Sequence, residues 1–394
     1  MKGFKYYTPT EIRFGRDVEL KAGELLKKYG ATRVLVHYGS ERVIKNGLMK
    51  SVLETLDKEG IAHVELGGVV PNPRLSKVRE GIELAKEFGA DFLFGIGGGS
   101  VLDSLKAIGY GLANEGDVWD FYEHTRKPEA CMPIGFVLTL SATGSVMSDS
   151  SVITNEDGWK KRGCNSDLCR PKFALMNPEL TMTVSPYQTG CGSADIMMHT
   201  MERYFNRLGS MEITDSIAEG LLKVVMKNTK KVLEDPTDYN ARAEIMWCEA
   251  LSHNGLTGCG TDGGDWACHR LEHELGGLYD VAHGAGLTAI WGSWARLVCD
   301  DLPNRFYKFA VNVMDVEPAK DEMAVILEGI RRMEEFFRSI GMPTSIRGLG
   351  VEPTEEELRL MAKKCEEATG GHIGSALTLY YEDMYRIYKE ASQI

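Results

Sequence analysis

Residues 92–100 read FLFGIGGGS, an apolar run that begins after Asp91 and passes without a polar break into Gly97, Gly98, Gly99 and Ser100. A strand that is apolar on both faces belongs inside a parallel sheet covered by helices on each side. The following residues, 101–112, carry helical periodicity, so the glycines form a strand-to-helix turn. Glycine adopts dihedrals barred to other residues there and leaves backbone N–H groups open to a phosphate at the helix N-terminus. The run does not fit G-x-G-x-x-G in its helix register and lacks the lysine of a P-loop, so neither a standard Rossmann fingerprint nor an ATPase is supported; a purely structural turn is the plain alternative. Asp103 falls on the first turn, where its carboxylate can cap the helix, hold the loop or meet a ribose or amide group.

The same alternation extends on both sides. Residues 33–37 (RVLVH) and 61–66 read as strands, and 47–58 and 75–88 as amphipathic helices, the first with Leu48, Val52, Leu53 and Leu56 on one stripe. A period that switches between two and 3.6 marks an α/β domain with a parallel sheet. After Pro186 the texture becomes helical, over 195–205, 213–233, 241–255, 287–309, 319–340 and 355–365. Turn residues at 177–179 and 185–188 set the boundary. The expected architecture is a Rossmann-like, nucleotide-type α/β domain over 1–185 and an all-helical domain over 186–394, with a cleft between them.

A chain of 394 residues with 43% hydrophobic side chains buries enough core for two domains. With 45 basic and 57 acidic side chains the formal charge is −12, which opposes nucleic acid and anionic membranes. The basic cluster at 160–162 is short and isolated. Neither an N-terminal apolar segment nor a run of 18 apolar residues occurs, which predicts a cytoplasmic protein. Nine cysteines, an odd number without tight pairs, read as reduced thiols.

Three strand ends are followed by small or hydroxyl residues: Tyr38-Gly39-Ser40, the glycine turn, and LTLSATGS at 138–145, with Thr139, Ser141 and Thr143. Strand ends of this kind line the ligand edge of an open α/β sheet. No acidic residue occupies 38, 39 or 40 to claim an adenosine 2′-hydroxyl, whereas Gly39 and Ser40 leave room and a donor for a 2′-phosphate. This favours NADP(H) over NAD(H); an ordinary βα turn is the alternative.

In the second half, Asp195 and His199 stand four apart in DIMMH, so a helix presents both on one face. His269 and His273 are likewise four apart in HRLEH, and His283 follows in VAHGAGL. Carboxylate and imidazole together suit Fe(II) or Zn(II). Four histidines compete for three positions beside Asp195, and spacing does not choose among them. Gly276, Gly277, Gly284 and Gly286 crowd this segment, as expected where backbone approaches a cofactor or ion. HRLEH is not the H-E-x-x-H of zincins, and no serine lies in G-x-S-x-G.

On these residues the chain resembles the iron-containing, group III metal-dependent alcohol dehydrogenases, in the NAD(P)H-dependent butanol dehydrogenase and aldehyde reductase branch. The resemblance runs from FKYYTPTEIRFG at 4–15 through Pro71-Asn72-Pro73, GGGS with Asp103, LTLSATGS, D-x-x-x-H, H-x-x-x-H and H-G to Glu382-Asp383. It implies metal ligands at Asp195, His199, His269 and His283, with His273 beside nicotinamide and substrate. It implies dinucleotide contacts at Asn72, Gly97 to Ser100, Asp103 and the loop Thr139 to Thr143, and a 2′-phosphate at Gly39 and Ser40. Relatives usually read LTLPATGSEMN, whereas this chain has Ser141, Val146 and Ser148, changes that remove a charge near the cofactor loop and loosen a turn.

The implied reaction is reversible hydride transfer between NADP(H) and a primary alcohol or aldehyde such as butanol or butanal, in an apolar pocket bounded by residues such as Phe121 or Trp159. His273 is the expected proton relay. The expected partner is the small-molecule substrate alone, in a homodimer. Competing readings are a glycerol or other polyol dehydrogenase, a lyase of the dehydroquinate synthase kind, and a non-catalytic nucleotide- or metal-binding protein.

Overall fold

The computed structural model describes residues 1–208 and 211–393. The chain forms two compact units, one of Tyr7–Thr183 with Thr237–Ala250, the other of Met1–Tyr6, Val184–Pro236 and Leu251–Ile394. The sheet unit thus takes in residues 237–250, a helical stretch that chain order alone assigns to the second half.

The sheet unit contains β1 (Glu11–Phe14), α1 (Ala22–Lys28), β2 (Arg33–Tyr38), α2 (Arg42–Lys45), α3 (Leu48–Lys58), β3 (Ala62–Leu66), α4 (Leu75–Phe88), β4 (Phe92–Gly97), α5 (Gly99–Ala113), α6 (Trp119–Tyr122), β5 (Ile134–Leu138), β6 (Ser150–Asn155), β7 (Lys160–Asn165) and β8 (Phe173–Met176). Six strands pair in the order β1-β8-β5-β4-β2-β3, and every pairing is parallel. The period of two sorts the strand residues: Val34, Val36, Phe92, Phe94 and Ile96 pack with Ala22, Leu25, Val52 and Leu56 of α1 and α3. Their neighbours Leu35 and Leu93 pack on the other face, with Val78 and Ile82 of α4 and Leu102 and Leu105 of α5.

The strand order reverses between β2 and β4, because the chain leaves β2 for β3 on one flank and returns to β4 on the other. Tyr38 lies opposite Ile96, and Gly97 opposite Leu138, so β2, β4 and β5 end level with one another. This register gathers Gly39–Ser40, the glycine turn and the 139–145 loop at one edge, the place where open α/β sheets bind ligands. The antiparallel hairpin β6–β7 is unforeseen in the sequence because KKRGCN in β7 carries no strand pattern. It grips the loop after β3: Thr154 N–H donates to Pro73 O at 2.8 Å.

The helical unit comprises α7 (Pro186–Tyr204), α8 (Glu212–Glu234), the end of α9 (Tyr239–Ser252), α10 (Ala267–Tyr279), α11 (His283–Val298), α12 (Pro303–Asn312), α13 (Glu322–Ser339), α14 (Glu355–Thr369) and α15 (Tyr381–Gln393). Its aromatic core includes Phe205 stacked on Phe306 at 4.3 Å, with Trp294 at their edge. The single helix expected over 287–309 is two, because Pro303 at the first position of α12 cannot continue α11 and bars helical dihedrals at Leu302. Low overall hydrophobicity leaves α15 without a clear sequence signal, although Met384, Ile387, Tyr388 and Ala391 repeat at helical spacing and are buried. No helix among the described residues is long and apolar enough to cross a membrane.

His37 in β2 is wholly buried, with Nδ1–H donating to Leu66 O at 2.8 Å and Nε2 accepting from Ser104 Oγ at 2.9 Å. Burial drives its pKa down to about 4, against the opposing pull of the backbone hydrogen bond. The unfolded chain therefore binds the extra proton first, and stability falls as pH drops from 6.5 towards 4. The loss amounts to about 2 kcal/mol by pH 5. Denaturant melts at pH 7 and pH 5 measure it, and His37→Gln should lose less over that interval.

Candidate active site

α7 starts cleanly, with Pro186 at its first position and Ser185 Oγ accepting from Gln188 N–H at 3.2 Å. It is buried almost throughout, and its i, i+4, i+7 and i+8 positions bring Asp195, His199, Glu202 and Arg203 into one neighbourhood. α10 contributes His269, Glu272 and His273, and α11 begins at His283.

These elements converge on Asp195 Oδ1. His199 Nδ1 lies 3.4 Å from it, His283 Nε2 3.7 Å and His269 Nε2 3.8 Å. Among the described residues, Asp195, His199 and His269 form a group able to hold a metal ion, their ligand atoms within 4.8 Å of one another. His273, one turn beyond His269, is buried with its ring centroid 6.2 Å from that of His283.

Asp195 Oδ1, His199 Nδ1 and His269 Nε2 are buried without a hydrogen-bond partner. Each such atom costs about 1–3 kcal/mol unless something satisfies it. One cation among them satisfies all three, so the residues fit a divalent ion. The outer nitrogens agree with this. His269 Nδ1–H donates to Glu202 Oε1 at 2.9 Å, and the His269 backbone N–H reaches the same oxygen at 3.0 Å. His283 Nδ1–H donates to Glu272 Oε2. A carboxylate on one ring nitrogen fixes the tautomer and turns the other lone pair inward. Glu202 lies 67 positions from His269 and Glu272 lies 11 from His283, so both pairings arise only in the fold.

Electrostatics follow the same division. Burial, the neighbouring His269 and Arg203 hold His199 well below the usual imidazole range. Burial also pushes His269 down, but Asp195 and Glu202 outweigh it and lift its pKa to about 9. A proton or a metal cation therefore finds a favourable field there. The glycines of this segment meet protein atoms: a Cβ on Gly284 would overlap the Cys191 backbone, one turn before Asp195, and one on Gly286 would crowd Glu272.

At the sheet edge, the N–H groups opening α5 lack intrahelical acceptors, and Gly99 sits so close to the Thr143 side chain that a Cβ would overlap it. Thr139 N–H donates to Gly97 O at 2.8 Å, and Gly68 N–H to Gly39 O at 2.9 Å. Ser40 is exposed, and Asn72 holds a left-handed φ of 52°. Asp103 holds the loop: its carboxylate accepts from Ser145 Oγ at 2.7 Å and Val152 N–H at 3.0 Å. Lys106, fully buried, donates to the carbonyls of Ser145, Ser148 and Ser150 at 2.8–2.9 Å. The loop bearing Ser141, Val146 and Ser148 is therefore tied to α5, with Val146 inside the core. Phe121 is also a core residue, and Trp159 is exposed under the Arg74 guanidinium.

A parallel-sheet unit with a glycine turn at a strand end and a helical unit with an Asp–His cluster able to hold a metal ion suit the class of nucleotide-using enzymes with a metal centre. The family model described as iron-containing alcohol dehydrogenase matches residues 9–178, and that of the C-terminal part of the Fe-containing alcohol dehydrogenase family matches 189–392. The chain belongs to this family, in its butanol dehydrogenase and aldehyde reductase branch. It is 39% identical to NADH-dependent butanol dehydrogenase A of Clostridium acetobutylicum, over 99% of this chain and 100% of that one. It is 30% identical to the NADPH-dependent aldehyde reductase YqhD of Escherichia coli, again over 99% and 100%. The crystal structure of NADH-dependent butanol dehydrogenase A from Thermotoga maritima superposes with a TM-score of 0.96 at 38% identity, covering 100% of this chain and 99% of that chain.

The contact at Gly284 yields a direct check. Gly284→Ala forces α11 off α7 and should cost about 1–3 kcal/mol, read as a lower melting temperature.

Proposed function

We propose that the chain reduces aldehydes such as butanal, and oxidises the corresponding primary alcohols, with NADP(H) and a divalent ion, Fe(II) or Zn(II), held by Asp195, His199, His269 and His283. The observation that carries this is the convergence of buried, partnerless atoms of Asp195, His199 and His269 on one point, with His283 Nε2 at 3.7 Å from the same carboxylate oxygen. When bound, the ion supplies Lewis-acid polarisation of the carbonyl and the nicotinamide supplies hydride. One carboxylate and three neutral imidazoles leave a net positive charge on a divalent ion, which favours an oxygen ligand.

The chain's own residues do the rest. Glu202 and Glu272 accept the Nδ1 protons of His269 and His283, which orients each ring and turns its Nε2 toward the ion. Gly97 to Ser100 offer backbone N–H groups to the pyrophosphate at the start of α5, and Asp103 keeps the loop of Thr139, Ser141 and Thr143 against that turn. Asn72, in its left-handed turn, lies in the loop after β3 and completes the dinucleotide edge. Gly39 and Ser40 receive the 2′-phosphate. Relatives' names divide between NADH and NADPH; the absence of an acid at 38–40 supports NADPH. His273 passes a proton to the product oxygen.

The protein stripped of metal and reloaded anaerobically with Fe(II) or Zn(II) should oxidise NADPH with butanal, and NADH more slowly. Activity independent of the restored metal contradicts the mechanism, and faster NADH oxidation reverses the cofactor preference. His273→Ala should keep its metal, measured by elemental analysis, yet lose about 100-fold or more in turnover, within the range for a general acid; unchanged turnover removes His273 from the mechanism.

A further inference from the structure

A fifth imidazole stands against the cluster. His253 follows α9, and its ring centroid is 4.1 Å from that of His199 with 35° between the planes, a closer approach than His199 makes to His269 at 4.8 Å. Its Nδ1 lies 3.0 Å from Arg203 Nη2. A guanidinium has donors only, so Nδ1 accepts and the proton of His253 sits on Nε2. Arg203 is itself immobilised: Nη1 donates to the carbonyls of His199 at 2.8 Å and Ser252 at 3.2 Å, and the guanidinium stands 4.5 Å over the Trp266 ring. Trp266 closes the arrangement, with its indole N–H on Gly263 O at 2.9 Å and its ring 5.5 Å from His253 and 5.3 Å from His269.

His269 and His283 each have a carboxylate on the outer nitrogen, and the shortest ring contact of His199 is with His253. We propose that Arg203 and His253 are positioning residues for His199: Arg203 fixes the tautomer and plane of His253, and the His253 ring, tilted by 35° against His199, holds the His199 imidazole in the plane that points Nδ1 at Asp195. With Nδ1 engaged by Arg203, His253 supports the ligand set through its face. The inference rests on the reading of Asp195, His199 and His269 as a metal site, and it adds residues outside that set.

Co(II) serves as the probe, since its visible absorption reports ligand geometry without turnover. The metal-stripped wild type, H253A and H253F are titrated with Co(II) in competition with a chromophoric chelator, and their spectra are recorded, with circular dichroism confirming the fold. H253A should bind Co(II) about tenfold or more weakly, as outer-sphere losses do, with a shifted spectrum. H253F, which restores a flat ring without the acceptor, should recover part of the affinity and the wild-type band positions. Wild-type affinity and spectrum in H253A overturn the proposal, as does an H253F no better than H253A. If H253A does not fold, the comparison of H253F with R203M decides: wild-type affinity and spectrum in both overturn it. Failure of the wild type to bind Co(II), with D195A indistinguishable from it, removes the metal reading itself and the proposal with it.

Discussion

Buried lone pairs that face one another repel unless a cation lies between them, and the helical unit is organised around that constraint. Asp195, His199 and His269 bring three such atoms together from two helices, and His283 adds a nitrogen from a third. Each helix bears a cost for its part. α7 is buried on nearly every side, α10 opens at Trp266 in a left-handed conformation, and α11 enters through a glycine pressed on the Cys191 backbone. Glu202 and Glu272 then place a second set of charges behind the imidazoles, so that the protons lie outward and the lone pairs inward.

The sheet unit solves a different problem, the approach of backbone to a charged ligand. Its three level strand ends come from the register of β2, β4 and β5, and the reversal of strand order opens space beside them. The loop after β5 is held by groups on α5 itself. Asp103 and Lys106 stand one turn apart on the helix whose N-terminus carries the glycine turn, and both bind the 145–152 segment. An ammonium buried among carbonyls anchors this loop.

Much of this was legible in the chain. The strands at 33–37 and 92–96 and the helices at 47–58 and 75–88 stand within a few residues of where periodicity placed them, because each buries a regular stripe. The hairpin β6–β7 and helix α15 escaped for the opposite reason, being too polar to announce themselves. The glycine pattern predicts a close approach of backbone to an ion or cofactor at Gly284 and Gly286; in the fold their close neighbours are the Cys191 backbone and the Glu272 side chain. His253 had no motif at all: it lies 54 residues beyond His199, and only the fold sets one ring upon the other.

The sequence alone determined the α/β and helical halves, the glycine turn at a strand end, the family, and the D-x-x-x-H and H-x-x-x-H pairs that put candidate ligands on helix faces. These are local matters, set by periods of two and 3.6 and by residues a few positions apart. Which nitrogens meet one carboxylate oxygen, which carboxylates stand behind them, and whether Asp103 serves a loop were decided by the tertiary structure. Such contacts join residues tens of positions apart, and their geometry depends on helix crossings and strand register that no local pattern encodes.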